Sequence, residues 1–315
     1  MRRRALVLAI AIAAWAAGSA LGALTATPPA RAAGGGILLG RAHARYTPDL
    51  SGRRTITILA VGSDARPGEI PQYMRADSLH VIFLHPRKEQ AVIVGIPRDS
   101  WVPIAGAGTD KINAAMGTGG PERLVRTIER DFGQRIDYWA VTSFWEIQRM
   151  VNAVGGLTIR IPFRMHDANS GSNFHPGVQR LNGRQVLAFS RDRHSLNSGD
   201  FGRSENGGRV FLAALHGFQE EYRKDPTRLL AWIGAGMRNL HTDIPVTELI
   251  DLAFDVTGLR SKHVRNVVLP GGTATIAGKS VVTLSMSTAR RIFADAAADG
   301  ALRRGNVPRS PTGTG

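Results

Sequence analysis

Apolar residues recur along this chain at two periods. Residues 55–61 (TITILAV), 78–84 (SLHVIFL) and 90–96 (QAVIVGI) are short β-branched apolar runs separated by turn-rich, charged segments. Runs of that length and composition predict central strands of a sheet. The period then lengthens: Pro121 sits where a first helical turn tolerates it, and Leu124, Val125, Ile128 and Phe132 follow on one helical face. A strand near 138–141, a helix over 144–154 and a strand over 157–161 come next. Residues 162–179 are polar and rich in Gly and Asn, which predicts a surface loop near the mouth of a site. Helices are predicted over 203–224, 225–240, 246–259 and 287–297, and late strands over 263–269 and 280–284. Strands alternating with helices predict an α/β fold with the sheet covered on both faces.

The two ends of the chain carry different patterns. Arg2, Arg3 and Arg4 precede an uncharged run over 5–25, about 21 residues and so close to the length that crosses a hydrocarbon core. Positive charge before the span holds the N-terminus inside and sends the rest out. Small residues around Ala30, Ala32 and Ala33 offer a competing cleavage site, but the apolar run exceeds a usual signal-peptide core, so an uncleaved anchor is the preferred reading. The expected organisation is a cytoplasmic tip and transmembrane anchor over 1–27, a flexible linker over 28–52, a catalytic domain over 53–300 and a disordered tail over 301–315. The expected location is therefore the cell membrane, single-pass, with the domain extracytoplasmic.

Composition narrows the chemistry. There is no cysteine, which excludes disulfides, thiol nucleophiles and cysteine-ligated metals. Lys and Arg outnumber Asp and Glu by 40 to 25, so the chain is drawn to polyanions. Aromatic residues are few and no nucleic-acid-binding signature is present, so nucleic acid is not the expected partner. The nine histidines form no HExxH motif, against a zinc site. GTGGP at 117–121 lacks the Lys-Ser/Thr of a P-loop, and Ser63 is not in a G-x-S-x-G elbow.

Four segments place charged residues at element ends, where open α/β sheets bind ligands. GSDARPGE follows the first strand and holds Asp64; MRADS precedes the second and holds Arg75 and Asp77. IPRDS ends the third strand with Arg98 and Asp99, and FSRDRHSLNSGDFGRSE carries Arg191, Arg193, Asp200 and Arg203. Asp64 and Asp77 can meet at one sheet edge, where two carboxylates suit magnesium completed by phosphate oxygens and water. Arg75, Arg98, Arg191, Arg193 and Arg203 supply planar forks for phosphate. A metal and an arginine cluster would together offset charge building on a pyrophosphate leaving group. Any one of these residues alone reads equally as a turn, cap or surface group: Asp99 as a turn or arginine partner, Asp200 and Arg203 as a helix start.

In order and spacing, GSDARPGE, MRADS, IPRDSWVPI, DKINAAMGTGGPE, AVGGLTIRIP, LNGRQVLAFSRDRH and GDFGR resemble the motifs of the LytR-CpsA-Psr family, strongly over 56–215 and more weakly beyond 225. The resemblance implies a three-layer α/β/α domain with a central mixed sheet and an apolar lipid pocket. It implies a magnesium-assisted phosphotransferase moving a glycopolymer from a polyprenyl pyrophosphate carrier to peptidoglycan. By position, Asp64 and Asp77 match magnesium-associated aspartates, and Arg75, Arg98, Arg191, Arg193 and Arg203 match pyrophosphate-binding arginines. Arg75, Arg98, Asp200 and Arg203 are the implied catalytic set. Alternatives are a polyprenyl pyrophosphate hydrolase using the same groups and a membrane-anchored envelope binding or regulatory module. One departure stands out: after GDFGR the chain reads SENGG, where many family members have a charged, glutamine-rich helix start, and Gly207 and Gly208 are expected to loosen that helix.

Overall fold

The three apolar runs become adjacent strands because each alternates side chains between two faces that are both covered. The structure, a computed structural model, describes residues 54–196 and 198–313. The expected anchor and linker, over 1–52, lie outside the described residues. Among the described residues no helix is long and apolar enough to cross a membrane.

Strands β1 (Ile56–Ser63), β2 (Ala76–His85) and β3 (Gln90–Gly95) are followed by a small ribbon of β4 (Trp101–Pro103) and β5 (Thr109–Lys111). Helix α1 (Ala114–Phe132), strand β6 (Tyr138–Ser143), helix α2 (Phe144–Ala153) and strand β7 (Leu157–Ile161) come next. Strands β8 (Met165–Asp167), β9 (Ser172–Phe174) and β10 (Gly177–Leu181) lead to helices α3 (Gly183–Arg191), α4 (Asp200–Lys224) and α5 (Arg228–Asn239). The chain continues through β11 (His241–Thr242), α6 (Val246–Thr257), β12 (Val264–Val268), the hairpin β13 (Gly271–Ile276) and β14 (Lys279–Leu284), and α7 (Met286–Asp299).

The central sheet is mixed and six-stranded, in the order β11-β6-β1-β2-β3-β12. β1 runs parallel to β6 and antiparallel to β2; β3 runs antiparallel to β2 and parallel to β12. The register sets Leu59 against Val81 and Val81 against Val94, a face buried with Leu124, Ile128 and Phe132 of α1 and Ile292 and Phe293 of α7. Ile58, Ile82 and Ile93 face the other way, among Phe211, Leu212 and Leu215 of α4 and Leu249 and Leu252 of α6. The antiparallel insertion of β2 has a consequence for the site: the C-terminal ends of β1, β3, β6 and β12 and the N-terminal end of β2 all lie at one edge.

Several predictions need correction. The helix at Pro121 is preceded by a turn of helix from Ala114, and the two are separated by non-helical Gly119 and Gly120, the latter at φ 69°. Helix α3, unpredicted because its apolar stripe is short, is fixed by a reciprocal cap between Asn182 and Gln185. The loop expected over 162–179 is instead built of β8, β9 and β10, with β10 paired to β7. Its polar residues bond backbone groups rather than water: Asp167 N–H donates to Ser172 Oγ at 3.1 Å and Asn169 N–H to Asp167 Oδ1 at 2.9 Å, while Met165 and Phe174 are buried. Within the stretch expected to be a disordered tail from residue 301, Ser310 and Thr312 are bonded to the body although many of their neighbours are exposed. Ser310 Oγ and Thr312 N–H and Oγ1 donate to the buried Glu205 carboxylate of α4. A buried carboxylate needs such donors, which a reading of composition cannot foresee.

Helix α4 runs unbroken through Gly207 and Gly208, against the expected loosening. A Cβ on Gly207 would lie 2.5 Å from His80 of β2, and one on Gly208 would lie 1.9 Å from Asn266 Oδ1 of β12. The two glycines let the helix backbone rest directly on the sheet.

Candidate active site

Asp64, Asp77 and Arg98 stand at the shared sheet edge because β1 and β3 stop there and β2 starts there, while Arg191 and Arg193 come from the end of α3 and the loop after it. Asp64 follows β1 directly, and a two-way backbone clasp joins it to the start of β2: Asp64 N–H donates to Arg75 O at 3.2 Å and Arg75 N–H to Asp64 Oδ1 at 3.0 Å. Asp77 is the second residue of β2. Arg98 follows β3 and pairs with Asp77, with its Nε 3.9 Å from both Asp99 Oδ1 and Asp200 Oδ1. That Nε is buried and has no hydrogen-bond partner among the described residues. Asp99 carries an ion pair with Lys111 of β5 at 3.2 Å, the partner role that a lone aspartate suggests, though with a lysine as well as with Arg98.

These groups surround a cavity of about 710 Å³ whose walls include Asp64, Arg75, Asp77, Arg98, Arg191 and Arg193. Six of the eight predicted site residues therefore meet around one space. Asp200 and Arg203 sit one layer behind it, on the first turn of α4, where Arg203 Nη2 donates to Asp200 Oδ1 at 2.6 Å. They reach the cavity through Arg98, and Arg203 borders a small adjoining recess with Asp77 and Arg98.

Electrostatics at this edge are dominated by partial burial. Burial raises the Asp64 pKa, and the neighbouring Asp77 carboxylate raises it further against the opposing bond from Arg75. Burial pulls Arg98 down, but Asp77, Asp99 and Asp200 outweigh it and keep the guanidinium firmly charged. Arg203 is lowered, by burial first and by Arg98 among its neighbours, with Asp200 opposing. Two acids under mutual repulsion beside an unpartnered guanidinium N–H make a place for a cation and an anion side by side. Among the described residues no group of three or more His, Asp or Glu is placed to hold a metal. A two-carboxylate site completed by phosphate and water is the arrangement that magnesium favours, so the residues fit that ion.

Other groups at the site were not singled out from the sequence. Arg191 lies over the ring of Phe144, 4.7 Å from its centroid, at the end of β6. Trp145 lines the same cavity, as do Lys111 and Lys279, and Lys279 lies 5.8 Å from the Trp101 ring centroid. Behind Arg191 and Arg193 the loop is held by two buried aspartates. Asp167 Oδ2 accepts from the N–H of Arg193 at 3.2 Å and of His194 at 3.4 Å, and Asp167 Oδ1 lies 3.0 Å from His194 Nδ1. Burial alone would raise Asp167, but His194 and the amides of Arg193 and Asn169 outweigh it and hold it well below the usual carboxylate range. Asp192 accepts from Ser172 Oγ and from Ser195 N–H.

Fold and site define an α/β protein that gathers four arginines and two aspartates around one cavity at a shared sheet edge. Residues 41–297 match the LytR_cpsA_psr family, and the chain belongs to that family. Among its relatives, a polyisoprenyl-teichoic acid–peptidoglycan teichoic acid transferase TagU of Bacillus licheniformis is 32% identical over 226 residues, covering 71% of this chain and 72% of the relative. The corresponding TagU of Oceanobacillus iheyensis is 29% identical over 229 residues, covering 71% and 69%. The crystal structure of Bacillus subtilis TagV superimposes with a TM-score of 0.63 at 26% identity, over 76% of this chain and 96% of that one.

Proposed function

We propose that this protein transfers a glycopolymer from a polyprenyl diphosphate carrier to peptidoglycan, by phosphotransfer at the cavity between β1, β2 and β3. The observation that carries the reading is the convergence of Asp64, Asp77, Arg75, Arg98, Arg191 and Arg193 on one space, in a chain whose TagU relatives are named as transferases joining teichoic acid to peptidoglycan.

In this reading the acceptor hydroxyl of a peptidoglycan sugar attacks the phosphorus that bears the glycan. The P–O–P bridge breaks, the new phosphodiester forms, and polyprenyl phosphate departs with the electron pair. Arg75, Arg98, Arg191 and Arg193 bind the diphosphate oxygens and offset the charge that develops on them. Asp200 and Arg203 orient Arg98 from behind. Asp64 and Asp77 are the residues that would hold magnesium, which when bound supplies Lewis-acid polarisation of a phosphoryl oxygen. The seam between sheet and helices, where Ile58, Ile82, Phe211, Leu212, Leu215 and Leu249 are only partly buried, is the apolar surface suited to an isoprenoid chain. The N-terminal pattern of three arginines before an uncharged run supports an anchor that keeps the domain beside its lipid-borne substrate on the outer side of the membrane.

The test is transfer of labelled glycan from a lipid diphosphate to peptidoglycan with magnesium present. Wild-type protein should couple the two, and Asp77→Ala and Arg98→Ala should each lose about 10²-fold or more of the rate, as when a transition-state donor is removed. Acceptor-independent release of glycan phosphate would favour the hydrolase. Unchanged function of both variants in the cell would favour the binding module.

A further inference from the structure

We propose that Trp145 is a binding platform for the first sugar ring of the donor glycan, the pyranose attached to the diphosphate; this rests on the transferase reading above. Trp145 is 50% exposed yet lines the cavity that holds the phosphate-binding groups. A large, mostly apolar ring facing water beside charged groups is an unusual placement, and Trp usually finds cover and a partner.

The exposure is imposed by the fold. Ser143 caps α2, accepting from Glu146 N–H at 3.3 Å while Glu146 Oε2 accepts from Ser143 N–H at 2.7 Å. His241 of β11 lies 2.9 Å from the other Glu146 oxygen. The backbone on both sides of Trp145 is thereby fixed at the end of β6, on the cavity wall.

Position then selects the ligand. Phe144, the preceding residue, carries the Arg191 guanidinium at 4.7 Å, so Trp145 follows directly in sequence a residue of the phosphate site. A sugar joined covalently to the diphosphate must lie within about one ring of the arginines that hold it. A pyranose presents a face of C–H bonds whose partial positive charge suits the negative face of an indole, and its hydroxyls need polar partners at the rim. Asn113 and Asp110 line the same cavity and offer them. An isoprenoid segment would have no use for those polar neighbours.

The experiment uses the full chain in detergent and two probes, a short-chain polyprenyl diphosphate and the same lipid diphosphate bearing N-acetylglucosamine, with dissociation constants measured in the absence of acceptor. Trp145→Ala should weaken the sugar-bearing probe about tenfold, or ~1.4 kcal/mol, and leave the sugar-free probe unchanged. Trp145→Phe should retain most of the affinity. Equal weakening of both probes, or no weakening of either, would overturn the proposal. The sugar-free probe doubles as a check on folding. Failure of wild-type protein to bind either probe would instead overturn the transferase reading on which the proposal rests.

Discussion

Three side chains show how burial sets chemistry at single positions. His80 of β2 is fully buried, with Nε2 2.9 Å from Ser204 O and Nδ1 3.3 Å from Ser78 Oγ. A carbonyl only accepts, so Nε2 carries the proton and Nδ1 accepts from the serine hydroxyl, which defines a neutral tautomer. Burial lowers its pKa to about 4. The unfolded chain then binds more protons than the folded one between about pH 6.5 and 4, so stability present above that window falls as pH drops through it, by about 3 kcal/mol. Denaturant midpoints at pH 7.5 and 4.5 should show this loss, and His80→Gln, which can still donate to Ser204 O, should shrink it. Asp64 moves the other way. Its raised pKa means that protons compete with a cation at a higher pH than at an ordinary aspartate. In the proposed reaction, the affinity for magnesium should therefore weaken on acidification before an ordinary aspartate would titrate, read as a rising magnesium concentration for half-maximal transfer. At Arg98, the three surrounding carboxylates make Arg98→Ala a change that unpairs acids as well as removing a donor, so Arg98→Lys is the cleaner probe of geometry: it keeps the charge and loses the planar fork.

At the scale of elements, close approach and clamping decide what the site can do. Gly208→Ala should raise the intrinsic helix propensity of α4 by up to about 1 kcal/mol. The added Cβ, however, would fall within 1.9 Å of Asn266 Oδ1, and Asn266 Nδ2 already donates to Glu205 O at 2.9 Å. Overpacking of about 1–3 kcal/mol should therefore prevail, giving net destabilisation in urea titrations. The β8–β9 hairpin acts on Arg191 and Arg193 through Asp167 and Asp192. Asp167→Ala should cost about 2–3 kcal/mol, the range for charged hydrogen bonds left unmade, and should raise the KM for the lipid diphosphate more than it lowers kcat, measured in the same transfer assay. Five of the six strands of the central sheet were legible in the sequence as short apolar runs between turns, whereas the two-residue β11 was too short to leave such a run. The hairpin was not legible either, because its short strands are largely polar and are held by side-chain bonds to backbone groups that composition presents as loop.

At the scale of the whole molecule, Asn306 bonds Asp295 of α7 while Ser310 and Thr312 bond Glu205 of α4, and removing residues 304–313 strips donors from a carboxylate that is 5% exposed. Truncation after Arg303 should cost about 1–3 kcal/mol of stability, read as a lower unfolding midpoint, with Glu205→Gln recovering part of it. A net charge of +15 should also draw the protein to anionic vesicles in a salt-sensitive way, since screening shortens to about 3 Å at 1 M ionic strength. What the sequence by itself determined was the alternation of strands and helices and the charged motifs at strand ends, because hydrophobic period and turn chemistry are local properties. It also placed Asp64, Arg75, Asp77, Arg98, Arg191, Arg193, Asp200 and Arg203 as one candidate set, since ordered motifs survive without coordinates. Only the tertiary structure decided that β2 enters antiparallel between β1 and β3, which brings the start of one strand beside the ends of its neighbours. It likewise decided that Asp200 and Arg203 stand behind Arg98 while Trp145 faces the cavity. Those placements depend on which distant segments share a surface, and packing between residues far apart in the chain leaves no periodic trace in either one.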